Sequence, residues 1–298
     1  MSILVVGGTG RVGGAAALTL AKRGFMVTAL VRGGRNHPGS THLLDAGIFV
    51  VDGDLRRRET LRSALDGVET IICSATAMPA AHGYALERVD HQGTLALMEA
   101  AEASGVKRFI YVSYSTNIRW DSPLETAKRD GESFLLRSKM EAVILRPSFF
   151  MEVWLSPALG FDPAAGSVRI YGPGDAKISY ISSSNVADFA ANVATGELYR
   201  KNMILELGGP EDLSQLEVVS SFEKILGRQM KLDYVPVETL RTQHESHDPL
   251  QKTFAALMLA YAGGDVVLDA VNTARRHGIR LCTVAEYATH FQVPQVVS

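Results

Sequence analysis

The sequence predicts an α/β protein built on a doubly wound parallel sheet, with a smaller, mixed C-terminal lobe. Three observations carry this expectation. Short, nearly continuous apolar runs alternate with helical patterns through the first half of the chain; the first run breaks into a glycine loop, "GGTGRVGG"; and the alternation fades after Pro147. Continuous apolar runs read as strands buried on both faces, and their alternation with helices implies parallel pairing.

In chain order, Ile3-Val6 reads as the first strand, the stretch from Ala15 to Arg23 as a helix and Met26-Val31 as the second strand. Ile48-Val51, Thr70-Cys73, Phe109-Val112 and Ala142-Leu145 supply four further strands. Leu95, Met98 and Ala101 give the segment from Val89 to Ser104 an apolar helical stripe that serves core packing. Beyond Pro147, the prolines at 157, 163 and 173 and several glycines mark a loop-rich region. The segment from Asn185 to Thr195 reads as a helix opened by Ser184 or Asn185. Ser214-Gln215-Leu216-Glu217 has capping-box spacing and opens a helix expected to stop near Gly227. The expected division is 1–150 for a nucleotide-binding domain and 151–298 for a substrate lobe, interleaving allowed. No hinge-like linker separates them, so a shared cleft is expected.

Composition narrows the class. The chain has 298 residues, 46% hydrophobic and 21% charged, with a formal net charge of -2, so no basic face argues for nucleic acid. The run Arg56-Arg57-Arg58 reads as the solvated start of a helix. Two cysteines, Cys73 and Cys282, lack metal-ligand spacing and favour a reducing compartment. The first apolar run has no basic leader, and no stretch approaches the roughly 20 apolar residues a membrane span needs. A cytoplasmic protein without nucleic-acid or membrane partners is expected, as a monomer or homodimer. His244 and His247, beside Glu245 and Asp248, read as a solvated loop, and no metal site is expected. A G-x-S-x-G elbow and a Walker lysine are both missing, which argues against a hydrolase and an NTPase.

The chemistry points to a dinucleotide. Gly7, Gly10 and Gly13, with Thr9, Arg11 and Val12 between them, lie where a strand turns into a helix. There, backbone amides and the helix N-terminus suit a pyrophosphate. The second strand ends "ALVRGGR", and Arg32, with Arg35 close behind, suits a 2′-phosphate, which favours NADP(H) over NAD. Asp54, followed by Leu55, is placed either to accept from an adenine amine or to cap the next helix. Ser74, Ala75 and Thr76 are small enough to pass beneath a cofactor ribose.

Together "GGTGRVGG", "VR", "GDL", "GVKRFIYVSYS", Lys128 and "LRPSFFMEVW", in this order, resemble the NmrA-like, atypical short-chain dehydrogenase/reductase proteins, from Ile3 to about Leu207. The resemblance implies a Rossmann-type domain for NADP(H), Pro147 against the cofactor, and a lobe closing over a small-molecule substrate. It also implies catalytic roles for Ser113 and Lys128. The superfamily's proton-donating tyrosine position is held here by Leu124, which disfavours ordinary alcohol or sugar chemistry, including nucleotide-sugar epimerisation. Tyr114 is a candidate substitute acid, although a continuing strand would turn it and Ser113 to opposite faces. Phe149, Phe150 and Trp154 are expected to wall the substrate pocket, where family members place it, or to pack between lobes; Met151 and Glu152 share their turn. The expected function is an NADPH-dependent oxidoreductase acting on a quinone, enone or similar acceptor, with an NADP(H)-sensing regulator as the alternative.

Overall fold

A computed structural model describes residues 1–78, 84–197 and 200–292. The first half contains β1 (Ser2–Val6), α1 (Arg11–Lys22), β2 (Met26–Val31), α2 (Thr41–Asp45), β3 (Phe49–Asp52), β4 (Thr70–Cys73), α3 (Gln92–Ala103), β5 (Arg108–Val112), α4 (Pro123–Arg137) and β6 (Glu141–Pro147). There follow α5 (Met151–Trp154), β7 (Phe161–Asp162), β8 (Ser167–Tyr171), β9 (Lys177–Ile178), α6 (Ser183–Thr195) and β10 (Asn202–Leu207). The last part holds β11 (Leu213–Ser214), α7 (Gln215–Leu226), β12 (Lys231–Val235), α8 (Val237–His244), α9 (Pro249–Gly263), α10 (Ala270–Arg276) and α11 (Val284–Ala288).

Seven parallel strands form the main sheet in the order β10-β6-β5-β4-β1-β2-β3. Alternation along β1 shows why it needs helices on both faces. Ile3 and Val5 enter the core beneath α1 and α6, while Leu4 and Val6 enter the core beneath α3 and α4. The strand order reverses between β4 and β1, which opens a crevice above the C-terminal strand ends. The lobe has its own core around Phe161, Ile170, Tyr180, Phe222 and Tyr261. It is covered by a three-stranded sheet, β12-β8-β7, and a two-stranded one, β11-β9.

Residues beyond 150 also complete the main sheet: β10 pairs with β6 along six residues, and α6 packs in the core beside α1. The two parts of the chain therefore interleave. Among the described residues, no helix is long and apolar enough to cross a membrane.

Several local expectations shift. The helix expected from Val89 begins instead as a π-helical turn, Leu86–His91, that feeds α3. α6 is capped by Ser182, whose hydroxyl accepts from the Ser184 amide; Asn185 instead bonds the Arg280 carbonyl and the Cys282 amide. The capping box at Ser214 and Glu217 is formed, and α7 ends at Gly227 in the left-handed region. His244 closes α8 against the Asp121 carbonyl and Asp248 caps α9, while Glu245 and His247 between the two helices are exposed in a loop before Pro249, as expected.

Candidate functional site

The glycine loop turns the chain from β1 into α1. Gly7 lies in the left-handed region (φ +93°), and its carbonyl accepts a 2.9 Å bond from the Gly10 amide. A Cβ on Gly7 would stand 2.8 Å from the Ala75 nitrogen; one on Gly13 would stand 2.4 Å from the Gly7 oxygen and 2.6 Å from Ser74 Oγ. These two glycines are thus required by the close approach of β1, α1 and the chain after β4, rather than by room for a ligand. Gly10 differs, because its Cβ would meet only the Gly7 oxygen, at 3.2 Å. It is exposed beside Thr9 and Arg11, whereas Val12 is buried. Gly10 opens α1 without a side-chain cap, leaving the first-turn amides and the positive helix end for an anion. Beneath the loop the Ser74 amide donates to the Val6 carbonyl at 3.0 Å, and Thr76 is exposed beyond it.

Arg32 and Arg35 are exposed at the end of β2. The turn between them is tied to β3 by a 2.8 Å bond from the Gly33 amide to Asp52 Oδ1. That places a carboxylate in a turn where the end of β2 alone offers only arginines. Asp54 is 8% exposed and its carboxylate is already engaged. Oδ1 accepts from the Arg56 amide and Nε, both at 3.0 Å, and Oδ2 accepts from Arg56 Nε at 3.0 Å and from Nη2 at 2.5 Å. The Arg56 hydrogen bonds outweigh burial and, with the charges of Arg56 and Arg32, hold the carboxyl below its usual range. Asp54 therefore caps its own turn and binds Arg56, and the exposed arginine run opens a 3₁₀ turn rather than an α-helix, with Arg58 paired to Glu99. Leu55 is buried against α3, where a Cβ on Gly93 would meet the Leu55 carbonyl at 2.7 Å.

At the end of β5, Ser113 donates its hydroxyl to Glu132 Oε1 on α4 at 2.5 Å. Glu132 also receives Arg129 and Arg146. Burial pushes the Glu132 carboxyl up, but bonds from Arg146 and Ser113 and the charge of Arg129 outweigh it and hold it low. Lys128 lies one turn earlier on the same helix and is 6% exposed. Its Nζ donates to the Val112 carbonyl at 3.1 Å and lies 4.9 Å from the Tyr111 ring centroid. Leu124 is buried. Because β5 stops at Val112, Ser113 and Tyr114 do not diverge as a continuing strand would require. Both meet α4, Tyr114 through the Arg129 guanidinium 4.9 Å over its ring. Burial pushes the Tyr114 phenol far above its ordinary range, so it is a poor proton donor.

Pro147 ends β6, its carbonyl accepting from the Ser115 amide. Phe149 and Trp154 are buried, 4.7 Å apart, and Trp154 stacks on Tyr261 at 4.3 Å. Only Phe150 keeps a half-exposed side chain. Glu152 accepts from Ser182 Oγ and the Ser183 amide at the start of α6, while Met151 is buried.

Four participants escape a linear reading: Arg56, Glu132, Asp90 and Tyr111. Glu132 was accessible, since it falls four residues after Lys128 on one helical face. Arg56 follows Asp54 at Asx-turn spacing. Asp90 and Tyr111 carry no such signal. Asp90 Oδ2 holds the Ala77 amide at 2.8 Å, while its Oδ1 and the Tyr111 hydroxyl are buried without a partner among the described residues.

The chain is 30% identical over 245 residues to the photosystem II assembly factor Ycf39 of Guillardia theta, covering 80% of this chain and 75% of the relative. It is 28% identical over 296 residues to an NAD(P)H azoreductase of Xenophilus azovorans, covering 96% of each. The fold is shared with the NADPH-dependent quinone oxidoreductase QOR2 of Escherichia coli, crystallised with NADPH: TM-score 0.79, 22% identity, 97% of this chain and 99% of that one. The model of the NmrA-like family matches residues 1–287, and the chain belongs to that family.

Proposed function

We propose that this chain binds NADP(H) along the crevice and reduces a small conjugated acceptor such as a quinone or an enone. The observation that carries the reading is the uncapped start of α1 above the glycine loop, with exposed Arg32 and Arg35 at the neighbouring strand end. The amides around Gly10 and Arg11 are suited to a pyrophosphate, and Arg32 to a 2′-phosphate. When bound, NADPH supplies a hydride. Lys128 commits one donor to Val112 and has two more for the hydroxyls of a nicotinamide ribose. Ser113, whose proton is directed at Glu132, offers its neighbours an acceptor rather than an acid. Residues after 150, with Phe150 at the rim, form the substrate side.

A conjugated acceptor follows from chemistry at the end of β5. Leu124 has no proton to give, Ser113 has committed its own, and the Tyr114 phenol holds its proton tightly. A substrate whose reduced anion is delocalised needs the least help from a protein acid. The same three facts favour a second reading, in which the bound dinucleotide is sensed and biases a partner-binding state.

NADPH oxidation measured against a panel of quinones, enones, imines and aldehydes, with Lys128→Ala in parallel, separates the two. Turnover that falls at least tenfold in the variant supports the reductase. Tight NADPH binding without turnover on any acceptor moves the assignment to the sensor, and unchanged turnover and NADPH affinity in Lys128→Ala remove that residue from the site.

A further inference from the structure

The turn between α9 and α10 carries Leu268, 86% exposed and the most exposed large apolar side chain among the described residues, with Val266 and Val271 open on either side of it. It is no loose tip. Before Leu268, the Val266 carbonyl accepts from Asn117 Nδ2 at 3.1 Å and the Val267 amide donates to Ser179 Oγ at 2.9 Å. After it, Asp269 stands in the left-handed region (φ +64°), and its carboxylate accepts from Asn272 Nδ2 at 2.5 Å and from Arg276 Nη2 at 3.1 Å. A leucine held in water on a strained, bonded turn is a preformed knob.

A hole lies beside the knob. Pro210, Val271, Ala274, Ile279 and Leu281 line a surface cavity of about 420 Å³ with Arg275 at its rim, so Val271 belongs to both features. The turn packs tightly on the chain after β10, where a Cβ on Gly208 would stand 2.9 Å from Val267 Cβ and 3.3 Å from Ala270 Cβ. Charges complete the face. Arg276 and Arg280 pair with Asp269 and Glu286, whereas among the described residues exposed Arg275 bonds only Asn272, and exposed Glu211, next to Pro210, has no cation partner. A knob, a hole, an unpaired cation and an unpaired anion on one face are the set that a two-fold axis makes self-complementary.

We infer that this face pairs with a second copy of the chain about a two-fold axis, Leu268 of each protomer entering the other's cavity and Arg275 of each meeting the partner's Glu211. A second copy supplies both halves of the contact, while a partner of one charge would answer only one of the two unpaired groups. None of these residues is placed in the cofactor or acceptor site, so association and turnover are separable.

The test is sedimentation of the full chain across micromolar concentrations, where the wild type is expected to dimerise. Leu268→Asp alters a side chain already in water in the monomer. It is expected to keep the wild-type circular dichroism and to weaken association at least about a hundredfold, because two apolar knobs lose their burial. Arg275→Glu and Glu211→Arg each set like charges face to face and are expected to weaken it by about tenfold. An equimolar mixture of these two variants is expected to recover near wild-type association, since every mixed contact again joins an arginine to a glutamate; a merely local role in the monomer would not be restored by mixing. A wild type that stays monomeric would leave the face to a different partner and overturn the proposal. So would a Leu268→Asp dimer as tight as the wild type, or a mixture no tighter than its separate components.

Discussion

At the residue scale, charge and close contact make separate predictions. Arg32 is exposed, with Gly33 after it bonded to Asp52, so an arginine and a carboxylate share one turn. If Arg32 meets a 2′-phosphate, Arg32→Glu adds repulsion that only NADPH feels. The expected outcome is a loss of NADPH affinity at least about tenfold greater than the loss for NADH, by titration of each. Equal losses would mean that Asp52 rather than Arg32 sets the ribose preference. Gly13 and Gly10 form a contrasting pair. A Cβ at Gly13 lands 2.4 Å from the Gly7 oxygen, whereas at Gly10 it meets the same atom at 3.2 Å with nothing else near. Gly13→Ala is expected to lower stability by about 1–3 kcal/mol in denaturant titrations, the range typical of overpacking. Gly10→Ala should cost less stability and act mainly on cofactor affinity. A greater stability loss at Gly10 than at Gly13 would contradict the packing account of the loop.

At the scale of the element, α4 is the hub. One of its faces holds Lys128 against Val112 and Glu132 against Ser113, Arg129 and Arg146. Removing the carboxylate leaves two arginines facing a buried gap, so Glu132→Ala is expected to cost about 3–5 kcal/mol. Its folded carboxyl lies below the usual range. The stability it contributes is therefore fully present above the unfolded pKa of about 4.3 and is lost as pH falls through the lower folded value. Glu132→Gln should flatten this part of the acid limb of a stability-pH curve, and an unchanged limb would show that other carboxylates govern it. How much of this was legible follows from the range of each interaction. The apolar strand runs, the Gly7–Gly10 hydrogen bond of the glycine turn and the capping box at Ser214 are each made by residues within a few positions of one another, and the sequence displays them. The π-helical turn before α3 does not, because an apolar helical stripe suits it and a regular helix equally. The partner of Ser113 lies 19 residues away, and only the packing of α4 on β5 brings it there.

At the scale of the molecule, the chain is woven rather than divided, and the least legible residue is one that joins its parts. Asp265, between α9 and α10, is 2% exposed. Oδ1 accepts from Ser115 Oγ at 2.7 Å and from Asn117 Nδ2 at 2.8 Å, both in the segment after β5. Its main chain bonds Lys177 and Ser179 around β9. A single residue thus fastens the loop beyond the candidate catalytic strand to the lobe, 150 residues along the sequence from Ser115. No periodicity or motif marks it, because its role exists only once both parts have folded. Asp265 Oδ2 is buried without a partner among the described residues, so the carboxylate leaves one buried oxygen unsatisfied. Asp265→Asn keeps an acceptor for Ser115 and Asn117, and is expected to change stability by less than about 1 kcal/mol. Asp265→Ala strands both donors and should cost about 2–3 kcal/mol. It should also loosen the segment after Ser113, seen as faster amide hydrogen exchange at 115–118 while the strands of the main sheet stay protected. If alanine and asparagine prove equally mild, the fastening between β5 and the lobe belongs to the aromatic core around Tyr261 and Trp154, and not to this carboxylate.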